Sequence, residues 1–301
     1  MISEKKPAWK GTTGGGNFGQ RALLLLLRYV DIRAGYAILA LVIPFYMLFN
    51  RSGYRPIRDY FRRRGYSGNI IFHIYRNHYL FGQMMLDKFY LFARKKNPFT
   101  SRVTDWDQFT SLLKSDGGFL IAGAHTGNFE ICGYFLQQRL KKLNAVVFGG
   151  ESAFLQAKRA QALSGNMAEL IPVMPDMSHL FVIKAALEKG EMVSMPCDRL
   201  FGSSKSFTFT FLGAPAHFPM GAFLLAAQLE VPVCTLYVMR EPARKYHIIC
   251  KQLDVDRSQY KTSRDIARAL CQVYVEQLED ILKAYPHQWF NFYDFWNNTT
   301  L

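Results

Sequence analysis

The sequence predicts an α/β fold: a mixed, mostly parallel sheet flanked by helices, preceded by a hydrophobic, membrane-associating helical segment. From Thr104 onward, short apolar runs typical of strands alternate with longer runs that have helical spacing. Before that point, two apolar runs lie between basic flanks. Half of the 301 residues are apolar, which provides material for a substantial core. We therefore predict an N-terminal helical region over residues 1–100 and an α/β domain over residues 101–301.

The α/β region contains a recurring order of predicted elements. Strands are predicted over residues 119–124, 145–150, 169–175, 192–196, 207–213, 231–239 and 245–251. The last two are joined by a turn at Glu241-Pro242. Helices are predicted to open near Asn128, over 152–165, from a cap at Ser178 to Gly190, near Pro219, and from a cap at Ser263 to about Tyr285.

The N-terminal apolar runs cover residues 22–27 and 34–49. The second run would extend roughly 24 Å as a helix, which is short for a hydrocarbon core about 30 Å thick. Basic residues flank it on both sides, so the charge asymmetry that orients a single span is nearly absent. We predict a helix or helical hairpin lying in the membrane interface, with Arg62–Arg64 close to anionic headgroups. The alternative is a buried amphipathic helix of a soluble domain.

The formal net charge of +14 indicates an anionic partner: nucleic acid, an acidic protein or an anionic lipid surface. Nucleic acid is disfavoured because the basic residues are scattered beyond the N-terminal third and the apolar segment would have no use. The five cysteines are odd in number and lack zinc or redox spacing. We expect reduced core thiols in a cytoplasmic setting, and no metal site.

The stretch GGFLIAGAHTGNFEICGYFL, residues 117–136, is the most informative in the chain. It predicts a buried strand, a turn carrying His125, and a helix that Asn128 caps. His125 and Glu130 would then lie at the carboxyl end of a strand, where open α/β sheets bind ligands. A Glu130 carboxylate accepting one ring N–H would leave the other nitrogen as a base toward a substrate hydroxyl. The same spacing also fits an ordinary strand-to-helix turn.

Two further blocks make the pattern specific: MPCDRLFG, residues 195–202, and FTFLGAPAHFPMGAFLLA, residues 209–226. Together the three blocks resemble the lysophospholipid acyltransferase superfamily, and within it the bacterial late lipid A acyltransferases. The resemblance covers roughly residues 115–240 and implies the mixed α/β fold predicted above. It implies a catalytic dyad at His125 and Glu130.

The resemblance also implies the remaining site residues. Arg199, in the second block, would donate to the oxyanion or hold an acceptor phosphate. Asp198 would position Arg199, although the pair also fits a salt bridge at a strand end. The predicted substrate-binding residues are Gly127, Asn128, Asp198, Gly213 and Pro215.

The reaction that the resemblance implies is transfer of a fatty acyl group from an acyl carrier protein thioester to a hydroxyl of a membrane lipid. The enzyme would act at the cytoplasmic face of the bacterial inner membrane, without a cofactor beyond the acyl donor. The acidic carrier protein and the anionic membrane surface would both be partners for the basic chain. No nucleic-acid partner is expected.

Two departures from the family pattern leave the acceptor open. Phe129 stands where the family usually has Trp, and the chain ends PHQWFNFYDFWNNTTL instead of in an Arg-rich tail. This ending resembles a divergent branch found with aryl-polyene-type lipid pathways. One alternative is an acyltransferase that uses acyl-CoA and a lysophospholipid, and another is a basic membrane-binding protein without catalysis. The terminal aromatic residues fit either a membrane-facing roof or packing of the last helix on the sheet.

Overall fold

The computed structural model describes residues 16–49, 54–93, 97–134, 140–147, 168–174, 176–200 and 205–296. Within these ranges, the side chains of 16–21, 130, 133, 134 and 168 are outside the description. The predicted helix over 152–165 and the end of the strand predicted over 145–150 therefore lie outside the described residues.

The N-terminal region is helical, as predicted. Its helices are α1 (Gly16–Tyr29), α2 (Ile32–Phe49), α3 (Tyr54–Arg63) and α4 (Ile70–Ala93). Helix α2 is long and apolar enough to cross a membrane, and only 17% of it is buried. It exposes large apolar side chains, including Leu41, Phe45 and Phe49. This exposure argues against the buried helix of a soluble domain.

The predicted strands are found in the predicted order among the described residues. Three elements are additional to the prediction: a strand at Thr100–Thr104, a helix at Trp106–Lys114 and a strand at Ala214–Pro219. The α/β region has the strands β1 (Thr100–Thr104), β2 (Phe119–Gly123), β3 (Leu143–Val147), β4 (Ala168–Pro172), β5 (Met192–Pro196), β6 (Ser206–Phe211), β7 (Ala214–Pro219), β8 (Val233–Glu241) and β9 (Lys245–Gln252). Its α-helices are α5 (Trp106–Lys114), α6 (His179–Glu188), α7 (Gly221–Gln228) and α8 (Ser263–Ala284), and a 3-10 helix covers Phe129–Tyr134.

Seven strands form one sheet in the order β1-β9-β8-β2-β5-β3-β4. Neighbouring strands are parallel except β8 and β9, which form the predicted antiparallel pair. Strands β6 and β7 form a separate antiparallel hairpin. The predicted fold class is confirmed. The division of the chain at residue 100 stays a prediction.

Local capping differs from the sequence-based expectation at three positions. Asn128 does not cap an α-helix: its side-chain amide donates to the Met84 carbonyl (3.1 Å) and the Tyr246 hydroxyl (3.3 Å), and a 3-10 helix follows. Ser178 occupies the N-cap position before α6, but its side chain makes no capping hydrogen bond. Thr262, one residue before the expected Ser263, accepts the Asp265 N–H and caps α8. At Asn128 the difference arises because its partners, Met84 and Tyr246, are distant in the sequence.

The core lies on both faces of the sheet. One face, with α7, α8 and the β6–β7 hairpin, packs around Phe211, Phe218 and Tyr274. The other face packs against α1, α2 and α4 through residues such as Val238 and Tyr246. The aromatic residues after α8 join the first cluster, in which the Trp289 ring lies 5.6 Å from that of Phe211. All five cysteines are buried and free, as expected of core thiols.

A pair of histidines joins α4 to the segment after α8. The rings of His73 and His287 stack with centroids 5.2 Å apart, and Nδ1 of His73 lies 2.9 Å from Nε2 of His287. His287 is 7% exposed. Burial lowers the pKa of His287 to about 4, and repulsion from Arg76 and His73 acts in the same direction. The folded state therefore favours neutral His287.

This pKa predicts a loss of stability in mild acid. The unfolded chain binds the proton near its ordinary pKa of 6.5, so the stabilisation is complete above that value and is lost as the pH falls toward 4. Between pH 7 and pH 5 the free energy of unfolding should fall by about 2 kcal/mol from this residue alone. Urea unfolding in detergent at the two pH values measures the effect. His287→Asn should reduce this pH dependence; a pH dependence equal to that of the wild type would contradict the assignment.

Candidate active site

Two neighbouring strands bring the predicted residues together. Strands β2 and β5 are parallel, and Gly123 at the end of β2 is paired with Pro196 at the end of β5. The chain leaves both strands at the same edge of the sheet, where α/β folds place their ligands. His125 and Asp198 each lie two residues beyond their strand, and they meet there.

His125 is held by a buried carboxylate. Its Nδ1 lies 2.7 Å from Oδ1 of Asp198, and its backbone N–H donates to Oδ2 at 2.9 Å. The Trp289 indole N–H donates to the same Oδ2 at 3.1 Å. The Asp198 side chain is fully buried, whereas that of His125 is 27% exposed. With Nδ1 directed to Asp198, Nε2 is the ring nitrogen that is left to meet a substrate.

Asp198 is ionised in this environment. Burial acts to raise the pKa of its carboxyl, but the charge and hydrogen bonds of His125, with a contribution from Arg199, outweigh burial and hold the pKa at about 2. A buried carboxylate is tolerated only where partners satisfy it, and here three donors do so. The arrangement can fix the tautomer of His125 and stabilise its protonated form.

Arg199 is oriented by the segment after α8. Its Nε donates to Oδ1 of Asn291 (3.1 Å) and its Nη2 to the Phe290 carbonyl (2.8 Å), and the guanidinium lies 5.3 Å from the centre of the Tyr293 ring. This differs from the expectation that Asp198 positions Arg199. The Asp198 oxygens accept from His125 and Trp289, so the two residues of the second block have different partners. Burial lowers the pKa of Arg199.

The segment after α8 forms one wall of the site, which motif reasoning missed. Gly127 donates its N–H to the Gln288 carbonyl (2.9 Å), and Phe290 donates its N–H to the His125 carbonyl (2.8 Å). The segment therefore runs alongside the histidine turn and brings Trp289 to Asp198. The sequence showed Trp289 only as one of several terminal aromatics. The available signal was its indole N–H, which needs an acceptor once it is buried.

Gly127 is required by the shape of the turn. Its φ is +56°, and a Cβ added there would lie 2.2 Å from the Val238 carbonyl oxygen. The next residue, Asn128, donates its N–H to that same carbonyl at 2.7 Å. Nearby, Oγ1 of Thr126 and Nδ2 of Asn291 are buried without a hydrogen-bond partner among the described residues. Both are candidates for contact with a substrate.

The remaining predicted site residues are Glu130, Gly213 and Pro215. The Glu130 side chain lies outside the described residues, so the His125–Glu130 dyad stays a prediction. Gly213, at φ +79°, follows Leu212, at φ 49°, in the turn of the β6–β7 hairpin, and Pro215 is paired with Thr210. The hairpin reaches the site through its packing on Trp289. The structure shows no contact between this turn and His125 in the part of the chain that it describes.

The fold and the site define an α/β enzyme with a histidine held by a buried carboxylate at the carboxyl edge of a mostly parallel sheet. Residues 72–298 match the profile of the bacterial lipid A biosynthesis acyltransferases. The chain belongs to this family, which confirms the resemblance seen in the sequence and identifies an acyltransferase of lipid biosynthesis. No curated protein sequence matches the chain.

Among solved structures, the crystal structure of the 1-acyl-sn-glycerophosphate (LPA) acyltransferase PlsC from Thermotoga maritima is similar to this chain. The TM-score is 0.38 at 12% sequence identity, and the alignment covers 84% of this chain and 98% of that chain.

Two glycine substitutions test the steric requirement at the turn. Gly127→Ala should destabilise the protein more than Gly213→Ala, because both glycines have positive φ but only Gly127 has a carbonyl in the space of a new Cβ. Backbone strain alone typically costs about 1–3 kcal/mol at such a position, and the clash adds to it at Gly127. Urea unfolding of both variants measures the difference. Equal losses would show that the approach of the Val238 carbonyl does not constrain the turn.

Proposed function

We propose that this acyltransferase moves a fatty acyl group from an acyl carrier protein thioester to a hydroxyl of a membrane lipid, with His125 as general base. The observation that carries the proposal is the 2.7 Å contact between His125 Nδ1 and the buried, ionised Asp198. It supports a defined tautomer with Nε2 directed to the substrate. The family membership supports acyl transfer as the reaction.

In the proposed mechanism, His125 Nε2 removes the proton of the acceptor hydroxyl while that oxygen attacks the thioester carbonyl. Asp198 accepts a hydrogen bond from the Nδ1–H of His125 and stabilises the imidazolium. The tetrahedral intermediate then collapses: the carbon–sulfur bond breaks, and the departing thiolate takes the proton from Nε2. An ester and a free thiol result, so protons and electrons balance.

Arg199 is the proposed donor to the oxyanion. Two of its five N–H groups are used by Asn291 and Phe290, which fix the guanidinium and leave other donors for a substrate oxygen. Loss of such a donor typically raises a barrier by about 2.7–4 kcal/mol. Holding an acceptor phosphate is the other proposed role for Arg199.

The proposed location is the cytoplasmic face of the bacterial inner membrane. The family and the exposed apolar surface of α2 indicate membrane association. The net charge of +14 supports contact with anionic lipid and with an acidic carrier protein. Acyl-CoA is the competing donor, and a preference for it in a purified assay would replace the carrier protein in the proposal.

The carboxylate partner of His125 can be identified by substitution. His125→Ala and Asp198→Asn should each lower the transfer rate at least about 100-fold, because general-base catalysis contributes about 10²–10⁴-fold. Transfer of a labelled acyl chain from acyl carrier protein to host lipid extract measures the rate. Glu130→Gln separates the two carboxylates: a loss confined to Asp198→Asn supports Asp198, and a loss confined to Glu130→Gln supports the predicted dyad. Wild-type rates in His125→Ala would exclude the mechanism.

The acceptor lipid can be identified by comparing the lipids of host cells with and without the gene. Deletion of the gene should remove one acyl chain from a single lipid class, and the wild-type gene should restore it whereas the His125→Ala gene should not. Lipid mass spectrometry measures the change and identifies the acceptor. An unchanged lipid profile under conditions where the protein is expressed would contradict acyl transfer and favour a membrane-binding role.

A further inference from the structure

A basic cavity lies beside the turn between β8 and β9. It has a volume of about 410 Å³, and its lining includes the arginines Arg33, Arg240 and Arg244 together with Tyr36 and Gln83. Its volume is in the range of about 300–1,000 Å³ that is usual for small-molecule sites. His125, Asp198 and Arg199 are not among its lining residues, so the cavity and the proposed site of acyl transfer are formed by different side chains.

One of the three arginines has its charge compensated. The Arg240 Nε donates to Oδ2 of the buried Asp87 at 3.0 Å, and the Arg240 guanidinium lies 5.0 Å from the centre of the Tyr36 ring. The Tyr36 hydroxyl also donates to Asp87. These contacts hold Arg240 and Tyr36 rigidly at the inner wall of the cavity.

The other two arginines have no carboxylate partner within the described ranges. The acidic residue nearest to Arg33 in the sequence is Asp31, whose side chain accepts the backbone N–H of Arg33 at 2.8 Å. Glu241, next to the β8–β9 turn, pairs with Arg102. The cavity therefore carries two uncompensated positive charges, from Arg33 and Arg244.

The turn that carries Arg244 is strained. Ala243 and Arg244 both have positive φ, 57° and 61°, where a side chain is unfavourable. Such positions typically cost about 1–3 kcal/mol each and concentrate at functional sites. The fold therefore keeps Arg244 in a backbone conformation that is unfavourable for a residue with a side chain.

The cavity lies at the polar end of an exposed apolar helix. Arg33 and Tyr36 belong to the first turns of α2, and the remainder of α2 exposes Leu41, Phe45 and Phe49. Arginines at the end of such a helix are placed where headgroups meet the protein.

We propose that this cavity binds a phosphate monoester. Two uncompensated guanidinium groups match the charge of about −1.5 to −2 that a phosphate monoester carries at pH 7. Arginine is also suited to the geometry of phosphate oxygens, which it contacts through paired N–H groups. A lipid headgroup and a soluble phosphate share this chemistry. The proposal goes beyond the proposed function, because binding here does not require transfer of an acyl group.

A neighbouring cavity of about 300 Å³ shares Arg240 but is lined by Glu241. The described lining of the first cavity contains no carboxylate, so the first cavity is the better site for an anion.

The first experiment uses inorganic phosphate. Phosphate should raise the thermal unfolding temperature of the detergent-solubilised full chain above that in sodium chloride of equal ionic strength. Arg33→Gln and Arg244→Gln should each weaken the phosphate affinity about tenfold. Arg264→Gln, which removes an exposed arginine from α8, is the charge-matched control and should bind as wild type. Absence of a phosphate effect, or wild-type binding by both cavity variants, would overturn the proposal.

Vesicles distinguish the two sources of the phosphate. Phosphatidylcholine vesicles containing phosphatidate should bind the protein more tightly than vesicles containing the same fraction of phosphatidylglycerol, whose phosphate is a diester. Loss of this preference in Arg244→Gln would assign the cavity to a lipid headgroup. Phosphate binding in solution without the preference would support the site and assign it to a soluble phosphate monoester. His125→Ala should retain all of these responses, so failure of the catalytic proposal leaves this test independent.

Discussion

The buried carboxylate of Asp198 constrains the geometry of the sheet edge at which β2 and β5 end. A carboxylate removed from water needs donors on its oxygens, and the three donors come from different parts of the chain. His125 supplies its ring and its backbone N–H from the turn after β2, and Trp289 supplies its indole from the segment after α8. Displacement of any of these segments would leave the charge unsatisfied. The same contacts that the buried charge requires also orient the histidine.

A second buried carboxylate connects the membrane-associating helices to the sheet. Asp87 of α4 accepts from Tyr36 of α2, from Arg240 of β8 and from Tyr246 of β9. Burial raises the pKa of Asp87 above its ordinary value, and Arg240 and the two hydroxyl groups offset this effect only in part. Tyr246 also accepts from Asn128, three residues beyond His125. The N-terminal helices are therefore joined to the histidine turn through polar groups inside the protein.

The sequence could predict what depends on local pattern. The strand before His125, the β8–β9 pair and the helix after Thr262 all follow from periodicity and turn residues, and three motif blocks indicated the family. Contacts across the sheet were not accessible in this way. Asp198 is 73 residues from His125 and Trp289 is 91 residues from Asp198, so their meeting depends on β5 lying beside β2. Spacing in the sequence predicts Glu130 as the partner of His125, and that dyad stays a prediction because the Glu130 side chain lies outside the described residues.

The two buried carboxylates together relate the proposed acyl-transfer site to the exposed apolar surface of α2. Asp198 forms a hydrogen bond with His125 at the ends of β2 and β5. Asp87, on α4, links the adjacent strand β8 to α2 through its contacts with Arg240 and Tyr36. Helix α2 exposes its apolar surface, and its Tyr36 donates to Asp87. A lipid in contact with that surface would therefore lie beside a helix that is connected to the histidine turn through Asp87, Tyr246 and Asn128. Water excluded by such a lipid would strengthen the hydrogen bonds of His125 and Arg199, because electrostatic interactions grow as the surrounding dielectric falls. In the proposed mechanism, a bound lipid would bring the acceptor and would also lower the local dielectric around His125, the proposed base.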